Sequence, residues 1–235
     1  MRVDTFSHTV KVASNSISNK TVIVVDVLRA TTSIICAIKN GAKQVVPVED
    51  AASAVAISSR IGGILAGEKG GFTINGFALG NSPFEFSQEN VAGKSVVFST
   101  TNGTVAIHAL QDAKHVLIGG MINRTAVAKK ALSLGEDIII ACAGTDGSVS
   151  ADDICAAGAI ADALVRNAAG ALEMSDLTLI CSMIYADWLS GRADLSMTKH
   201  FAYLQKMGFE KDVEFCFQQD ITDVVPVYEN GVIVK

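Results

Sequence analysis

Acidic, basic and hydroxyl side chains stand close together at one turn early in the chain. Asp26 ends the apolar run TVIVVD, Arg29 follows shortly after it, and the hydroxyl residues Thr31, Thr32 and Ser33 come next. A carboxylate can hold a divalent cation, while an arginine and the amide groups of a helix N-terminus can bind a phosphate. This order of residue types indicates a site for a phosphate and its cation, although the same pattern occurs where the acid only caps a helix.

A glycine-rich segment supplies further polar groups. Gly67–Pro83 contains five glycines and no regular period, which predicts a long irregular loop. Glycines allow backbone amides to approach a ligand closely. The segment therefore predicts either a ligand-binding loop or a surface lid, and the polar side chains it would deliver are Glu68, Lys69, Asn81 and Ser82.

Two later turns carry more hydroxyls, amides and acids. Ser99–Thr104 is rich in hydroxyls and contains one amide but no acid, so it suits hydrogen bonds to oxyanions better than metal binding. After the GTDG turn, Ser150 and Asp153 have the spacing of a capping box, which gives Asp153 a structural role. Asp146 and Asp152 are left without such an explanation.

Short buried strands must position these turns. Thr21–Asp26 is typical of a strand buried on both faces, and Ile34, Ile35 and Ile38 give the next segment a helical apolar face that hydroxyl residues would cap. The same succession of strand, turn and helix recurs along the chain, with strands predicted at residues 43–48, 94–98, 114–118 and 137–143. The pattern predicts an α/β protein of repeated strand-turn-helix units. A shift of 71 residues aligns two such units, which suggests an internal duplication.

The whole chain, residues 1–235, is expected to form a single domain with two possible lobes, 1–130 and 131–235. An edge strand is predicted near the start, at Arg2–Thr5 or Thr9–Ala13. Near the end we expect helices at Ser175–Trp188 and Met197–Met207, a strand or helix at Asp212–Gln218, and a strand-turn-strand finish at Val224–Val234. His200, on the second helix, is interpreted as a surface or packing residue.

Composition limits the classes of function. With 49% hydrophobic and 18% charged residues, a packed globule is expected, and no apolar run reaches the roughly 18 residues of a membrane span. The net charge of −5 argues against nucleic acid as a partner. Five cysteines without CxxC spacing predict reduced core residues, so a cytoplasmic protein that does not bind a membrane is expected. Apolar helices near the carboxyl end suggest a homodimer.

Several catalytic devices of phosphatases and hydrolases are missing from the sequence. No cysteine is followed six positions later by arginine, and Leu28 replaces the second acid of a two-aspartate pair. The sequence also lacks RHG, HExxH and GxxxxGK[ST] motifs. The remaining acids and amides at turns predict a metal-assisted enzyme acting on an anionic small molecule.

Four ordered segments carry a family resemblance. VVDVLRATTSI, GEKGG followed by LGNSP, STTNGT and CAGTDGSVSADDICAAG closely resemble the signature segments of the 2-phosphosulfolactate phosphatase family, with further similarity in GFEKDVEFCFQQDITDVVPVYENG. The resemblance covers roughly residues 20–235. It implies magnesium-dependent hydrolysis of 2-phosphosulfolactate to 3-sulfolactate and phosphate, a step towards coenzyme M. It also implies a three-layer α/β/α fold with a mixed, largely parallel sheet.

The resemblance also implies a set of site residues. The expected catalytic residues are Asp26, Arg29, Glu68 and Asp153, and the expected substrate-binding residues are Lys69, Asn81, Thr100, Thr101 and Asn102. Mg²⁺ would be held by Asp26 with further acids, of which Glu68, Asp152 and Asp153 are the candidates. Lys69 stands where the family pattern predicts arginine, and Asp152 stands where it predicts glutamate, which raises the hypothesis of an altered substrate preference.

Two mechanisms and three functions follow from these expectations. Direct attack by an activated water is favoured over a covalent aspartyl intermediate through Asp26. The alternatives to 2-phosphosulfolactate hydrolysis are a phosphatase for another small phosphorylated hydroxy acid and a non-catalytic anion-binding protein of the same fold.

Overall fold

A computed structural model describes residues 1–9 and 13–235. The strands are β1 Arg2–Phe6, β2 Thr21–Val25, β3 Gln44–Val48, β4 Ile64–Lys69, β5 Phe72–Thr73, β6 Ser95–Ser99, β7 His115–Gly119, β8 Ile138–Cys142, β9 Glu173–Met174, β10 Val227–Glu229 and β11 Val232–Val234. The α-helices are α1 Ser14–Ile17, α2 Ala30–Lys39, α3 Ala51–Ile61, α4 Gln88–Val91, α5 Gly103–Ala109, α6 Arg124–Leu134, α7 Ala151–Asn167, α8 Asp176–Leu189, α9 Lys199–Lys206 and α10 Glu210–Cys216. Short 3₁₀ helices lie at Pro83–Glu85, Met121–Asn123 and Leu195–Met197.

The strands of the described residues form one sheet in the order β5-β4-β6-β3-β11-β10-β7-β2-β8-β1-β9. The pairs β2–β7, β2–β8, β1–β8, β1–β9, β3–β6 and β4–β6 are parallel. The short hairpins β4–β5 and β10–β11 are antiparallel, as are the pairs β10–β7 and β11–β3. The predicted mixed, largely parallel sheet is confirmed. Strands of the two predicted lobes alternate in the sheet, because β8, from residues 131–235, lies between β1 and β2, which belong to residues 1–130.

Helices cover both faces of the sheet, which confirms the three-layer α/β/α fold. Alternate residues of β2 face opposite sides: Val22 and Val24 pack with α2 and α5, whereas Ile23 and Val25 pack with α6 and α7. Because successive side chains of a strand point to opposite faces, this alternation requires a helical layer on each side. Strand β2 is accordingly buried along its whole length, as its sequence predicted.

Two predictions about strands need correction. Strand β1 is not an edge strand, because the two-residue strand β9 pairs with it on the outer side. Most of the alternative edge strand, Thr9–Ala13, lies outside the described residues. Finally, Gly67–Pro83 is not a uniform loop, since β4 continues through Lys69 and turns into a hairpin with β5.

The carboxyl-terminal prediction is largely confirmed. Helices α8 and α9 and the β10–β11 hairpin lie where the pattern placed them, and the ambiguous segment after Met207 is the helix α10. All five cysteines fall within the described residues and are free and buried. None of the helices in residues 1–9 and 13–235 combines the length and apolarity needed to cross a bilayer.

Candidate active site

A cavity of about 510 Å³ opens where several strand ends and helix α9 meet. Its wall is formed by the residues that follow β2 and β6, the end of β4 with the β4–β5 turn, the turn after β8, and one side of α9. Carboxyl ends of strands in α/β sheets are the usual place for ligands. Among the residues predicted for the site, those lining this cavity are Asp26, Arg29, Glu68, Asn81, Thr101 and Asn102.

Asp26 is fixed by the first turn of α2. Its Oδ1 accepts a hydrogen bond from the backbone N of Ala30 at 3.2 Å, and its carbonyl oxygen accepts one from Thr31 Oγ1 at 2.9 Å. Thr31 and its neighbour Thr32 therefore lie inside the helix rather than before it, which corrects the predicted capping role of the hydroxyls. Asp26 Oδ2 accepts no hydrogen bond from the described residues, so it is free to bind a ligand in the cavity.

The turn after β6 reaches Asp26 although four strands separate β6 from β2 in the sheet. A Cβ built on Gly103 would lie 2.8 Å from Asp26 Oδ2 and 2.5 Å from the Cβ of Ala30. Contacts this close leave no room for a side chain, so glycine is required at this position. The two turns thus form one wall of the cavity.

Glu68 joins two further segments at the cavity. Its Oε1 accepts a hydrogen bond from the backbone N of Thr101, and its Oε2 accepts one from the backbone N of Gly71, both at 2.8 Å. Since both bonds come from rigid backbone groups, the carboxylate is held in one orientation. Asn102, in the same turn as Thr101, accepts a hydrogen bond from the backbone N of Asp146 through its Oδ1 at 3.3 Å.

Asn81 presents a buried oxygen without a partner. Its side-chain Oδ1 is buried and has no hydrogen-bond partner among the described residues, whereas its backbone oxygen accepts a bond from Ser33 Oγ at 2.8 Å. Leaving a buried acceptor unsatisfied costs roughly 1–3 kcal/mol, so such an atom in a cavity points to a ligand.

These oxygens fit a magnesium ion. No cluster of three or more His, Cys, Asp or Glu side chains suited to a metal is present in residues 1–9 and 13–235. Mg²⁺, however, commonly uses one or two carboxylates and completes its shell with water and substrate phosphate. Asp26, Glu68 and the amide oxygen of Asn81 all line the same cavity and offer oxygen ligands of this kind.

The guanidinium of Arg29 is engaged by other protein groups. Its Nη1 lies 2.5 Å from Asp212 Oδ2, its Nη2 donates to the carbonyl oxygen of Gly71 at 2.8 Å, and its Cζ stacks 4.1 Å from the ring centre of Phe209. The pair is buried, with side-chain exposures of 2% for Arg29 and 7% for Asp212. Arg29 therefore links α10 to the β4–β5 turn beside the cavity. Its predicted contact with phosphate or sulfonate stays a prediction.

Lys69 and Thr100 do not line the cavity. Lys69 is exposed at the end of β4, where its backbone pairs with Phe72. Thr100 is buried, and its Oγ1 accepts a hydrogen bond from the backbone N of Thr104 at 3.1 Å, which fixes the start of α5. Their predicted contacts with the substrate therefore stay predictions.

Asp152 and Asp153 lie behind the cavity wall. Asp153 accepts hydrogen bonds from the backbone N of Val27 at 2.9 Å and of Gly144 at 3.0 Å, so it holds the ends of β2 and β8 together instead of completing a capping box. The two oxygens of Asp152 accept from Ser150 Oγ and, at 3.2 Å, from His200 Nδ1. Neither acid lines the cavity, so the predicted roles of Asp152 as a metal ligand and of Asp153 as a catalytic residue have no support from this geometry.

Helix α9 contributes side chains that the sequence reasoning missed. Lys199, Tyr203 and Lys206 follow one another at helical spacing and line the cavity, and so does His200, which was interpreted as a surface or packing residue. Tyr203 donates a hydrogen bond from its hydroxyl to the carbonyl oxygen of Gly70 at 2.9 Å. The signal available in the sequence was this repeated spacing of polar residues, which places them on one face of a helix.

Burial and like charges govern the acids of the site. Burial raises the pKa of Asp26 from 3.8 to about 6, with smaller contributions from the negative charges of Asp152 and Glu68. Burial likewise raises the pKa of Asp153 well above 3.8. A nearby cation would stabilise the ionised form of such buried carboxylates.

Burial also raises the pKa of the cysteine thiols, to about 11 for Cys36 and Cys181 and about 12 for Cys155. The pKa values of Cys142 and Cys216 lie well above 9.0 for the same reason. Since the thiolate is the nucleophile, these thiols do not serve as catalytic groups.

Comparison with known proteins gives consistent matches. The family model described as 2-phosphosulpholactate phosphatase matches residues 7–231. The protein of Clostridium novyi (strain NT) named "Probable 2-phosphosulfolactate phosphatase" is 37% identical over 237 residues, covering 100% of both chains. Proteins with the same name from Clostridium tetani, covering 99% of this chain and 100% of the relative, and from Caldicellulosiruptor saccharolyticus, covering 100% of both, are also 37% identical.

Proposed function

The chain belongs to the 2-phosphosulfolactate phosphatase family, and from this membership we propose that it hydrolyses 2-phosphosulfolactate to 3-sulfolactate and phosphate with Mg²⁺ as cofactor. One observation carries the proposal. Asp26, Glu68 and Asn81 line one cavity together with the cations Lys199 and Lys206, and the side-chain oxygen of Asn81 has no hydrogen-bond partner among the described residues. A cation site beside basic side chains is suited to a phosphoester that bears further negative charges.

Asp26, Glu68 and Asn81 would hold the ion. When bound, Mg²⁺ supplies positive charge that offsets the charge developing on the phosphoryl oxygens in the transition state. The fixed hydrogen bonds from Ala30 to Asp26 and from Thr101 and Gly71 to Glu68 orient these carboxylates in advance. Little reorganisation is then required during the reaction.

The substrate carries a phosphate, a carboxylate and a sulfonate on three carbons, so it needs several cationic or donor groups. Lys199 and Lys206 lie at the cavity on α9, and Asn102 lies across from them on the turn after β6. Lysine is a compact point charge that binds anions without a fixed geometry. We assign Lys199 and Lys206 to the carboxylate and the sulfonate of the substrate, and Thr101 and Asn102 to the phosphate oxygens.

Water is the proposed nucleophile. Attack of water on phosphorus breaks the bond between phosphorus and the C2 oxygen and yields 3-sulfolactate and phosphate. A covalent aspartyl phosphate through Asp26 is the alternative, and acid-quenched single-turnover reactions analysed by mass spectrometry separate the two. A phosphorylated Asp26 peptide would require the covalent route.

The departures from the family pattern at Lys69 and Asp152 do not favour a different substrate. Neither side chain lines the cavity, since Lys69 is exposed on β4 and Asp152 is engaged by Ser150 and His200. These two positions therefore give no structural argument for another phosphorylated hydroxy acid as the substrate.

Phosphate release tests the proposal directly. The wild-type chain is incubated with 2-phosphosulfolactate and with a panel of other phosphorylated hydroxy acids, with Mg²⁺ or with EDTA. We expect the highest kcat/KM for 2-phosphosulfolactate, loss of activity in EDTA, and loss of turnover in Asp26→Asn. Activity that persists in EDTA would contradict the magnesium site, and absence of phosphate release from every compound would contradict the phosphatase.

A homodimer is proposed as well. Helix α8 exposes the apolar side chains of Leu179, Ile180 and Met183, and α7 exposes Val165. Exposed apolar side chains on packed helices are a common feature of subunit contacts. Light scattering after size-exclusion chromatography should give twice the chain mass, and a monomer would overturn this expectation.

A further inference from the structure

His200 lies in the cavity wall and belongs to a chain of hydrogen bonds. Its Nδ1 is 3.2 Å from Asp152 Oδ2 and 3.4 Å from Thr145 Oγ1. Asp152 is buried, and its second oxygen accepts a hydrogen bond from Ser150 Oγ. Ser150 thus orients the carboxylate of Asp152, and this carboxylate in turn orients the imidazole of His200.

This arrangement decides which ring nitrogen faces the cavity. A carboxylate only accepts hydrogen bonds, so His200 Nδ1 carries a hydrogen and donates it to Asp152. Nε2, at the far corner of the ring, has no hydrogen-bond partner in the described part of the chain, and the His200 side chain is 19% exposed. Nε2 is therefore the ring atom available to a ligand in the cavity.

The reaction needs a proton donor for its leaving group. Phosphoryl transfer passes through a loose transition state in which negative charge builds up on the leaving oxygen while the attacking water is only weakly bonded. The leaving group here is the alkoxide of a secondary alcohol, which is a poor leaving group unless it is protonated. A general acid next to that oxygen consequently helps more than a base next to the water.

We propose that His200 is this general acid, oriented by Asp152 as a positioning residue. The inference rests on the proposed function. As the bond between phosphorus and the C2 oxygen breaks, the proton on His200 Nε2 passes to that oxygen and forms the hydroxyl of 3-sulfolactate. The protons of the attacking water remain with phosphate and solvent, and the neutral imidazole takes up a proton from solvent before the next turnover.

The charges around His200 favour its protonated form. Burial lowers the pKa of His200, but the hydrogen bond to Asp152 and the charge of that carboxylate raise it by more. The other titratable groups at the cavity are Glu68 on β4, Asp146 in the turn after β8, Arg29 before α2, and Lys199, Tyr203 and Lys206 on α9. Arg29 opposes the shift, and its charge is compensated by Asp212.

The test compares His200→Gln with the wild type and with the control His115→Gln. His115 lies on β7 outside the cavity, 3.9 Å from Glu136. Phosphate release is measured with 2-phosphosulfolactate and the other phosphoesters of the panel from pH 5 to 9, and thermal melts establish that each variant is folded. For His200→Gln we expect kcat to fall roughly 10²- to 10⁴-fold with little change in KM, as for loss of a general acid.

The pH profile gives a second readout. Wild-type kcat should fall as the pH rises through the pKa of His200 in the complex, and this alkaline limb should be absent in His200→Gln. Asp152→Asn should move the limb to lower pH, and Asp152→Glu should restore part of the shift. A purely structural role of Asp152 would lower the melting temperature without moving the limb.

The remaining outcomes show which claim fails. A folded His200→Gln variant with kcat within a few-fold of wild type, or one that keeps the alkaline limb, refutes the inference while the phosphatase stands. Loss of the acidic limb instead would make His200 a general base. A wild-type chain that cleaves no compound of the panel overturns the proposed function and the inference together.

Discussion

The buried ion pair between Arg29 and Asp212 should be a main determinant of stability around the cavity. Asp212 Oδ2 lies 2.5 Å from Arg29 Nη1, and Asp212 Oδ1 accepts a hydrogen bond from Ser82 Oγ at 2.8 Å. Asp212→Asn keeps the shape of the side chain and an oxygen for Ser82, but it removes the negative charge. The guanidinium is then buried without its counterion.

The expected cost follows from the burial of the pair. Removing one partner of a buried pair destabilises proteins by about 3–5 kcal/mol, because a buried charge is left uncompensated. Arg29 keeps its hydrogen bond to Gly71 and its contact with the ring of Phe209, so the lower value applies. We expect a loss of about 3 kcal/mol in the free energy of unfolding, which lowers Tm by roughly 6–12 °C for a chain of this size.

Urea denaturation measures this loss, with Asp187→Asn as a matched control. Asp187 pairs with Arg192 at 2.6 Å, but these side chains are 51% and 69% exposed. Exposed pairs contribute at most about 1 kcal/mol, so the control should shift the midpoint only slightly. If Asp212→Asn and Asp187→Asn destabilise the protein equally, burial does not determine the strength of the pair and the reasoning is refuted.

Two further substitutions should separate stability from function. The raised pKa of Asp26 means that the folded state binds more protons than the unfolded state between about pH 4 and 6. The ionisation of Asp26 therefore lowers stability progressively through this range, and the full cost is present above about pH 6. In EDTA at pH 7, Asp26→Asn should therefore increase the free energy of unfolding by about 3 kcal/mol while abolishing turnover. Gly158→Ala should destabilise by at least about 1–3 kcal/mol, because its Cβ would lie 2.0 Å from the carbonyl oxygen of Cys181 on α8.

Urea denaturation again provides the measurement. For Asp26, the dependence of wild-type stability on pH should flatten in the variant, and a variant less stable than wild type at pH 7 would contradict the prediction. For Gly158, the control is Gly170→Ala, since a Cβ there meets no atom within 4 Å. Equal stability of the two alanine variants would mean that α7 and α8 can separate without cost.

Local patterns predicted the elements because they depend on periodicity and on turn chemistry. The apolar run before Asp26 identified β2, and the strand-turn-helix order identified the α/β class. Helical patterns after residue 175 identified α8 and α9 but left the segment of α10 open between strand and helix. Turns with special residues were found for the same reason, including the β10–β11 hairpin. The two-residue strands β5 and β9 escaped prediction because so short a segment has no detectable period, and this produced the errors at β1 and at Gly67–Pro83.

The composition of the site was only partly predictable. The sequence by itself placed Asp26 and Asn102 in turns after strands and Glu68 and Asn81 in the glycine-rich segment, and all four line the cavity. It could not separate Asp26 from Asp153, since both are acids beside apolar segments. The fold distinguishes them, because Asp26 lines the cavity and Asp153 instead joins the backbone after β2 to the backbone after β8.

Only the tertiary structure decided which distant segments share the cavity. The turns after β2 and β6 meet across four intervening strands, and α9 brings His200 to them from the last quarter of the chain. Neither contact leaves a mark in the local sequence, because each depends on the curvature of the whole sheet and on how the helices pack against it. Local sequence sets the conformation of each segment, whereas the burial of apolar surface over the entire chain sets their relative positions.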